Sequence, residues 1–329
     1  MKPFRSMLQP LLLALTVAAV PTWAQAQADN FPAKPIRFIN PFQAGATTDV
    51  LARIVSEKMA TNWGQPVVVD NKPGAGGLLA ADLTAKSAPD GHTIVAVISS
   101  HVVQKNLVKN MPFDALKGFE PVILLARTPL VLLTVNSMPV KTVPEFINYA
   151  RQQAKEGKPL TYGTSGIGAA VHLTTEYFKQ VANVPLEHVP YKGGAPAMLD
   201  LLGGHIPVVM SGLYTASQAI QAGKVKPIAV TTAKRLARYP NIPTMQESFP
   251  GFVEDEWWVV LAPAGTPKPI VNKLNAEITR IFSLPDVMEK IAALDIEFIG
   301  GSPEDATAYM QSKSSKWDKL LQQAGIKPE

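Results

Sequence analysis

Along the first third of the chain, the pattern of hydrophobic and polar positions alternates between short runs typical of β-strands and the spacing typical of α-helices. A β-rich run at 36–40 (IRFIN) leads into a glycine-containing loop, and apolar residues then recur at helical spacing between 51 and 59. The alternation continues with a strand at 67–69, a helix at 78–86 and a strand at 93–98. This order of elements predicts an α/β lobe with a parallel sheet.

The middle of the chain repeats the alternation with different residues. The predicted strands are 130–135, 160–162, 188–189, 207–210 and 227–230, and the predicted helices are 143–153, 169–180, 195–202 and 216–222. We interpret this block as a second α/β lobe.

After Trp257 the sequence is predicted to turn helical again. Apolar residues at 270, 274, 278 and 281, and again from 306 to 324, indicate two amphipathic helices, which need an apolar surface to cover. The first lobe's sheet offers that surface. The chain is therefore expected to leave lobe 1 near Ala126 and return near Glu256, so that lobe 1 spans 27–126 plus 256–329 and lobe 2 spans 127–255. Two crossings between two lobes predict a hinged clamshell.

The N-terminus has the pattern of a secretory signal peptide over residues 1–26. Lys2 and Arg5 precede an apolar run at 11–20, and the small-residue stretch that follows offers cleavage after Ala24, Ala26 or Ala28. The run is shorter than the roughly 18 apolar residues that a membrane-spanning helix needs. An uncleaved anchor is the alternative. The pattern predicts an exported, soluble protein with no membrane insertion after cleavage.

The amino-acid composition excludes several kinds of site and partner. The 329 residues contain no cysteine, which excludes disulfides, thiolate metal sites and a cysteine nucleophile. Lys plus Arg number 31 against 26 acids, and the densest basic cluster, at 234–238, has no aromatic repeats around it, so nucleic acid is not an expected partner. The five histidines are scattered. His172 and Glu176 lie one helical turn apart without a third ligand, so we expect no metal site.

Two glycine-containing runs resemble catalytic or cofactor-binding motifs, but each departs from its motif at one position. The run 163–167 (GTSGI) departs from G-x-S-x-G at Ile167, and the run 74–79 (GAGGLL) departs from G-x-G-x-x-G at Leu79. The sequence contains no phosphate-binding P-loop motif. We therefore expect no cofactor and no catalytic residues, although a Ser/His/Asp set assembled from distant segments stays open.

Two small-residue loops stand where a strand ends and a helix begins. They are residues 41–49, with Thr47 and Thr48, and residues 163–168, with Ser165. Helix N-termini carry unsatisfied amides and partial positive charge, so such loops bind carboxylate or phosphate, and open α/β sheets place ligands at this edge. The alternative is that the hydroxyls cap their own helices and Asp49 offsets its own dipole; both can hold together.

Six blocks in order over the mature chain resemble the Bug family, the extracytoplasmic solute receptors of tripartite tricarboxylate transporters. The blocks are FPAKPIRFINPFQAGATTDVLAR (31–53), GQPVVVDNKPGAGG (64–77), APDGHTI (88–94), YGTSGIGAAVHLTTE (162–176), HVPYKGGAPAMLDLLGG (188–204) and APAGTP (262–267). The resemblance implies a periplasmic binding protein of α/β class, a two-lobed clamshell of type II in which each lobe is a mainly parallel sheet flanked by helices.

The resemblance also implies a ligand, a partner and a site. The ligand is a small organic carboxylate, the partners are membrane permease subunits, and the receptor is expected to be a monomer. The implied substrate-binding residues are Phe42, Ala44, Gly45, Ala46, Thr47, Thr48, Thr164, Ser165, Gly166 and Tyr191, with Asp49 and His172 in support. Tyr191 is the expected neighbour across the cleft.

Departures from the family pattern bear on the ligand. Ala46 stands where the family has glycine, and Pro207 and Ser211 stand where it has aspartates. An ammonium-bearing ligand needs a carboxylate partner, so we expect a carboxylate or dicarboxylate without an amine. Two other functions stay open: a receptor that presents its ligand to a membrane signalling kinase, and a periplasmic hydrolase.

Overall fold

The computed structural model describes residues 30–323, in which ten strands join into one curled sheet. The predicted signal peptide lies outside these residues. The strands are β1 (Ile36–Asn40), β2 (Val67–Asn71), β3 (Thr93–Ile98), β4 (Phe119–Thr134), β5 (Leu160–Thr164), β6 (Leu186–Pro190), β7 (Val208–Gly212), β8 (Lys226–Val230), β9 (Asp255–Pro263) and β10 (Glu297–Gly300).

Helices flank this sheet on both faces. They are α1 (Thr47–Trp63), α2 (Leu78–Ala85), α3 (Val143–Lys155), α4 (Ala170–Ala182), α5 (Gly194–Leu202), α6 (Leu213–Gln221), α7 (Lys268–Phe282), α8 (Pro285–Ala293) and α9 (Pro303–Gln323). Among the residues described, no helix combines the length and the apolar character that crossing a membrane requires.

The sheet has two halves that share the long strand β4. In the first half β1 runs parallel to β2 and β3, and β9 lies antiparallel between β3 and β4. In the second half β5 runs parallel to β6 and β7, and β4 lies antiparallel to β7 and β8. The chain crosses to the second half along β4 and returns at the start of β9, and these two strands pair antiparallel with each other.

Each half has apolar cores on its two faces. In the first half α1 and α7 pack on one face and α2 and α9 on the other. In the second half α3 and α4 cover one face, and α5 and α6 the other. Sheets covered on both faces by helices are typical of α/β proteins. The predicted two-lobed α/β fold is confirmed.

Two predicted element boundaries were wrong at the crossings. The strand predicted at 130–135 begins at Phe119, and the segment after Trp257 continues as strand β9 to Pro263 before α7 begins at Lys268. Both strands are buried on both faces, so they lack the alternation that marks a half-exposed strand. Two register shifts in β4, between Pro121 and Ala126, disturb the pattern further. Strand β10 and helix α8 were not predicted.

The chain changes from one half to the other between Pro129 and Leu130. Pro129 pairs with Asp255 at the start of β9, and Leu130 pairs with Gly212 at the end of β7. The carboxyl ends of the parallel strands in both halves therefore point toward this junction. The loops that follow β1 and β5 lie at the facing edges, where open α/β sheets bind ligands.

Candidate ligand-binding site

In the structure the first of the two small-residue loops spans residues 41–46, between β1 and α1. It is held by the buried carboxylate of Asp49 in the first turn of α1. This carboxylate accepts hydrogen bonds from the Gly45 amide at 2.9 Å, Asn71 Nδ2 at 2.9 Å and Arg53 Nε at 2.8 Å. Burial alone would raise the pKa of Asp49, but the bonds from Arg53, the Gly45 amide and Asn71 hold it below its usual range. Asp49 is thus an ionised anchor for the loop.

Neighbouring contacts fix the rest of the first loop. The Phe42 carbonyl accepts hydrogen bonds from Asn40 Nδ2 at 3.0 Å and Asn71 Nδ2 at 2.9 Å. Thr48 is buried, and its hydroxyl accepts a hydrogen bond from Trp258 Nε1 at 3.0 Å. Thr48 therefore ties α1 to β9, whereas Ala44 and Gly45 are exposed and Ala46 and Thr47 are partly exposed.

The two helices begin without side-chain caps. The N-cap residues are Ala46 for α1 and Ala169 for α4, and neither makes a side-chain capping hydrogen bond. The alternative in which Thr47, Thr48 or Ser165 caps its own helix is therefore wrong. The first amides of both helices have no intrahelical acceptor, so they can donate to a ligand.

In the structure the second small-residue loop spans residues 165–169, between β5 and α4. It is held by neutral groups. Thr164 is fully buried, and its hydroxyl lies 2.6 Å from His188 Nε2 and accepts a hydrogen bond from the Gly166 amide at 3.3 Å. The Ser165 carbonyl accepts from the Gly193 amide at 3.1 Å. Gly166 has φ of 135°, and a Cβ there would lie 3.2 Å from the Tyr191 carbonyl, so this turn requires glycine.

Two stacked histidines lie behind the second loop. The rings of His172 and His188 have centroids 4.1 Å apart, and His172 Nδ1 accepts a hydrogen bond from the Gly168 amide at 3.1 Å. Burial lowers the pKa of both, and together with His172 it lowers that of His188 to about 4. Both rings are therefore neutral near pH 7, and His172 supports the loop from behind.

Glu176, the acidic neighbour of His172 along α4, is engaged elsewhere. Its carboxylate accepts hydrogen bonds from the Tyr162 hydroxyl at 2.5 Å and from Lys179 Nζ at 2.7 Å. Within the part of the chain that the structure describes, no three His, Asp or Glu side chains gather in a geometry that could hold a metal ion.

Tyr191 packs within its own half of the molecule. Its hydroxyl donates to Asp200 Oδ2 at 2.6 Å, and its ring lies against the apolar core beneath α5 and α6. The phenol oxygen is therefore already committed to a partner. Its side chain also crowds Gly163, where an added Cβ would lie 3.1 Å from the ring.

The second loop reaches the first half of the molecule. A Cβ added at Gly168 would lie 2.9 Å from Leu107 Cδ1, and Leu173 of α4 packs into the core formed by α2 and α9. The two loops thus border one junction from opposite sides. A groove of about 300 Å³ lined by Lys268, Asn272 and Glu304 lies between α7 and α9, away from both loops.

A third loop, which the sequence analysis did not assign, borders the first. Residues 74–77 precede α2, and a Cβ on Gly77 would lie 3.3 Å from Pro41 Cβ. Gln104 Nε2 donates to the Gly76 carbonyl at 2.9 Å and holds this loop in place. The signal was the run GAGG, which was considered as a dinucleotide motif and as part of a family block but not as part of the site. Glu256 was predicted only as the place where the chain returns to lobe 1, because no motif includes it.

Known proteins match this chain over most of its length. A family model described as tripartite tricarboxylate transporter family receptor matches residues 51–326. Protein BugT of Bordetella pertussis is 32% identical over 319 residues, which are 96% of this chain and 97% of that protein.

Two solved structures share the fold. Rpa4515 of R. palustris with adipate has a TM-score of 0.83 and 36% identity and covers 91% of this chain and 100% of that chain. MatC (Rpa3494) of Rhodopseudomonas palustris with bound malate has a TM-score of 0.80 and 31% identity, with 88% and 100% covered.

Proposed function

Because this chain belongs to the family of tripartite tricarboxylate transporter receptors, we propose that it binds a small carboxylate or dicarboxylate in the cleft between its lobes and delivers it to membrane permease subunits. The predicted resemblance to the Bug family is confirmed, and the fold and family are those of periplasmic solute-binding proteins. Adipate and malate in two structural neighbours support the ligand class.

The observation that carries this proposal is the pair of uncapped helix starts at one junction. Free amides of α1 and α4 and the hydroxyls of Thr47 and Ser165 can donate to ligand oxygens. Two carboxylates that each accept two charge-assisted bonds of roughly 1.5 to 3 kcal/mol gain roughly 6 to 12 kcal/mol, against about 8 kcal/mol for micromolar affinity. Ordering and closure costs require further contacts, which Phe42 and Tyr191 can supply as apolar walls.

The proposed ligand lacks an amine. The family's aspartate positions hold Pro207 and Ser211, and the Ser211 hydroxyl bonds the neighbouring Gly212 carbonyl at 3.1 Å. No carboxylate at these two positions can pair with an ammonium group. A thermal-shift screen should show adipate, malate, succinate, citrate or terephthalate stabilising the protein more than aspartate or glutamate. Stronger stabilisation by either amino acid would contradict this part of the proposal.

The proposed mechanism is closure of the two lobes, 27–126 with 256–329 and 127–255, about β4 and β9. A ligand that bridges both loops stabilises the closed form, and the permease recognises that form. The protein acts as an exported periplasmic monomer in this proposal, with residues 1–26 removed as a signal peptide.

The test is the double variant Thr47→Ala, Ser165→Ala, measured by calorimetry with adipate and malate. Each lost hydroxyl donor should weaken binding by about tenfold, since the ligand oxygen loses one bond. The matched control is Thr61→Ala, Ser283→Ala, which removes two exposed hydroxyls outside the cleft. Equal affinity in both double variants, with unchanged thermal midpoints, would place the ligand elsewhere.

A further inference from the structure

Three consecutive acidic residues stand where the chain returns through the hinge, and two of them are fully engaged. Glu254 binds Lys316 of α9, with Lys313 3.9 Å away. Asp255 accepts a hydrogen bond from Lys313 Nζ at 2.9 Å and one from the Tyr309 hydroxyl at 3.2 Å. Both carboxyls therefore fasten β9 to α9.

The third acid, Glu256, has no such partner. Among residues 30–323, no protein donor forms a hydrogen bond or an ion pair with its carboxyl, which is partly buried. Burial is the sole cause that acts on its pKa and raises it to about 7. A carboxyl that is shielded from most of the water around it and left without a cation favours its neutral form.

The position of Glu256 faces the junction of the two lobes. It pairs with Thr128 of β4 and lies two residues before Trp258, so both side chains are on the face where the Trp258 indole binds Thr48 of α1. Its Oε2 lies 3.4 Å from where a Cβ on Gly212 would be, at the N-cap of α6. Glu256 thus lies next to the start of α6, on the face of β9 from which Trp258 reaches the start of α1.

Charged groups on the surrounding elements are committed elsewhere. On β4, Arg127 binds Glu297 at 2.8 Å, and on β9 Asp255 is engaged by α9. On α1, Asp49 is paired with Arg53, and after α8 the carboxylate of Asp295, whose carbonyl binds Thr128, is paired with Arg238 at 3.0 Å. Tyr214 of α6 packs against the apolar core of the first half. Of these acids, Glu256 is therefore the one whose carboxyl has no partner within residues 30–323.

We propose that Glu256 determines specificity in the cleft by donating a hydrogen bond from its protonated carboxyl to a carboxylate of the bound ligand. This inference rests on the proposed function. Two carboxyl groups at hydrogen-bonding distance share one proton, because both cannot be charged there. Above the pKa of Glu256, binding takes that proton from solvent, so affinity falls as the pH rises. An ammonium ligand would instead pair with the charged form.

The test compares Glu256→Gln, which keeps a donor but cannot titrate, with Glu256→Met, which has no donor. Adipate and malate are the probes, since both are ionised above about pH 6.5. Wild-type affinity should fall roughly tenfold between about pH 7 and about pH 8.5, with proton uptake measured by calorimetry in buffers of different ionisation enthalpy. Glu256→Gln should bind without pH dependence or proton uptake, and Glu256→Met should bind about tenfold more weakly at pH 7.

The control is Glu57→Gln on the exposed side of α1, which should behave as wild type. Thermal unfolding checks that each variant is folded. If the wild type binds but Glu256→Gln keeps its pH dependence, or Glu256→Met binds equally well, this inference is overturned while the proposed function stands. Tighter binding of glutamate or aspartate than of either probe also overturns it. If the wild type binds no carboxylate, the proposed function and this inference both fail.

Discussion

The loop after β1 and the loop after β5 occupy equivalent places in the two lobes but are held by opposite chemistry. Each follows the first strand of a parallel set and opens into a helix with an alanine N-cap. The first loop is held by the ionised Asp49, and the second by the neutral pair of Thr164 and His188. A loop that leads into an uncapped helix N-terminus can therefore be held in place by a charged carboxylate or by a hydrogen bond between neutral groups. We expect the two loops to respond differently to mutation and to acid.

The largest expected effect comes from removing the charged anchor. Asp49→Ala leaves the Gly45 amide, Asn71 and Arg53 without their shared acceptor, which should lower the free energy of unfolding by about 3 kcal/mol. The released loop should also bind adipate and malate at least tenfold more weakly, by our order-of-magnitude reckoning. Urea denaturation and calorimetry measure the two effects.

Asp286→Asn is the matched control for this variant, because Asp286 pairs with Lys58 on the surface. Loss of the Asp286 charge should leave the urea denaturation midpoint unchanged, because exposed ion pairs contribute little to the free energy of unfolding. A loss below about 1 kcal/mol in Asp49→Ala would mean that the first loop does not depend on its carboxylate.

A smaller effect is expected from acid, and it should separate the two loops. The pKa of His188 is about 4 in the folded protein and near 6.5 in an unfolded chain. Between these values the unfolded state binds a proton that the folded state does not, so the free energy of unfolding falls as the pH falls from about 6.5 to about 4. Asp49 has a lowered pKa, so its contribution is present above about pH 4 and is lost only below it.

His188→Asn should therefore lose less stability than wild type on going from pH 6.5 to 4.5. The difference is roughly 1 to 2 kcal/mol, less than the full pKa shift because the ring is only partly buried. Urea denaturation at several pH values measures it. His205→Asn, which changes an exposed histidine, should keep the wild-type slope. Identical slopes in all three proteins would show that His188 is not held neutral behind the loop.

The smallest expected effect concerns Tyr191. Its hydroxyl is bonded to Asp200 in the same lobe, so Tyr191→Phe should change ligand affinity by less than about twofold while its ring stays as a wall. Calorimetry with adipate and malate measures this, and Tyr149→Phe, on α3, is the control. A tenfold loss would mean that the hydroxyl turns from Asp200 to the ligand when the lobes close.

The half-exposed and amphipathic elements were predictable because their residues carry a period. Helix α7 shows this, since the spacing from Ile270 to Ile281 marked it and those residues face the core. The crossing strands β4 and β9 were not predictable in the same way, because both of their faces are covered. The loops after β1 and β5 were found from small residues at strand ends, while Glu256 carried no local pattern at all.

By itself the sequence determined the α/β class, the places of two small-residue loops between a strand and a helix, and the resemblance to a receptor family, because period, glycine positions and ordered motifs are local properties of the chain. Only the tertiary structure decided what each polar group does. It buried Asp49 among three donors, bonded Tyr191 to Asp200 and, within residues 30–323, left the carboxyl of Glu256 without a partner where the chain returns to the first half. The physical reason is that hydrogen-bond partners and loss of water depend on segments far apart in sequence, which meet only when the two lobes assemble around β4 and β9.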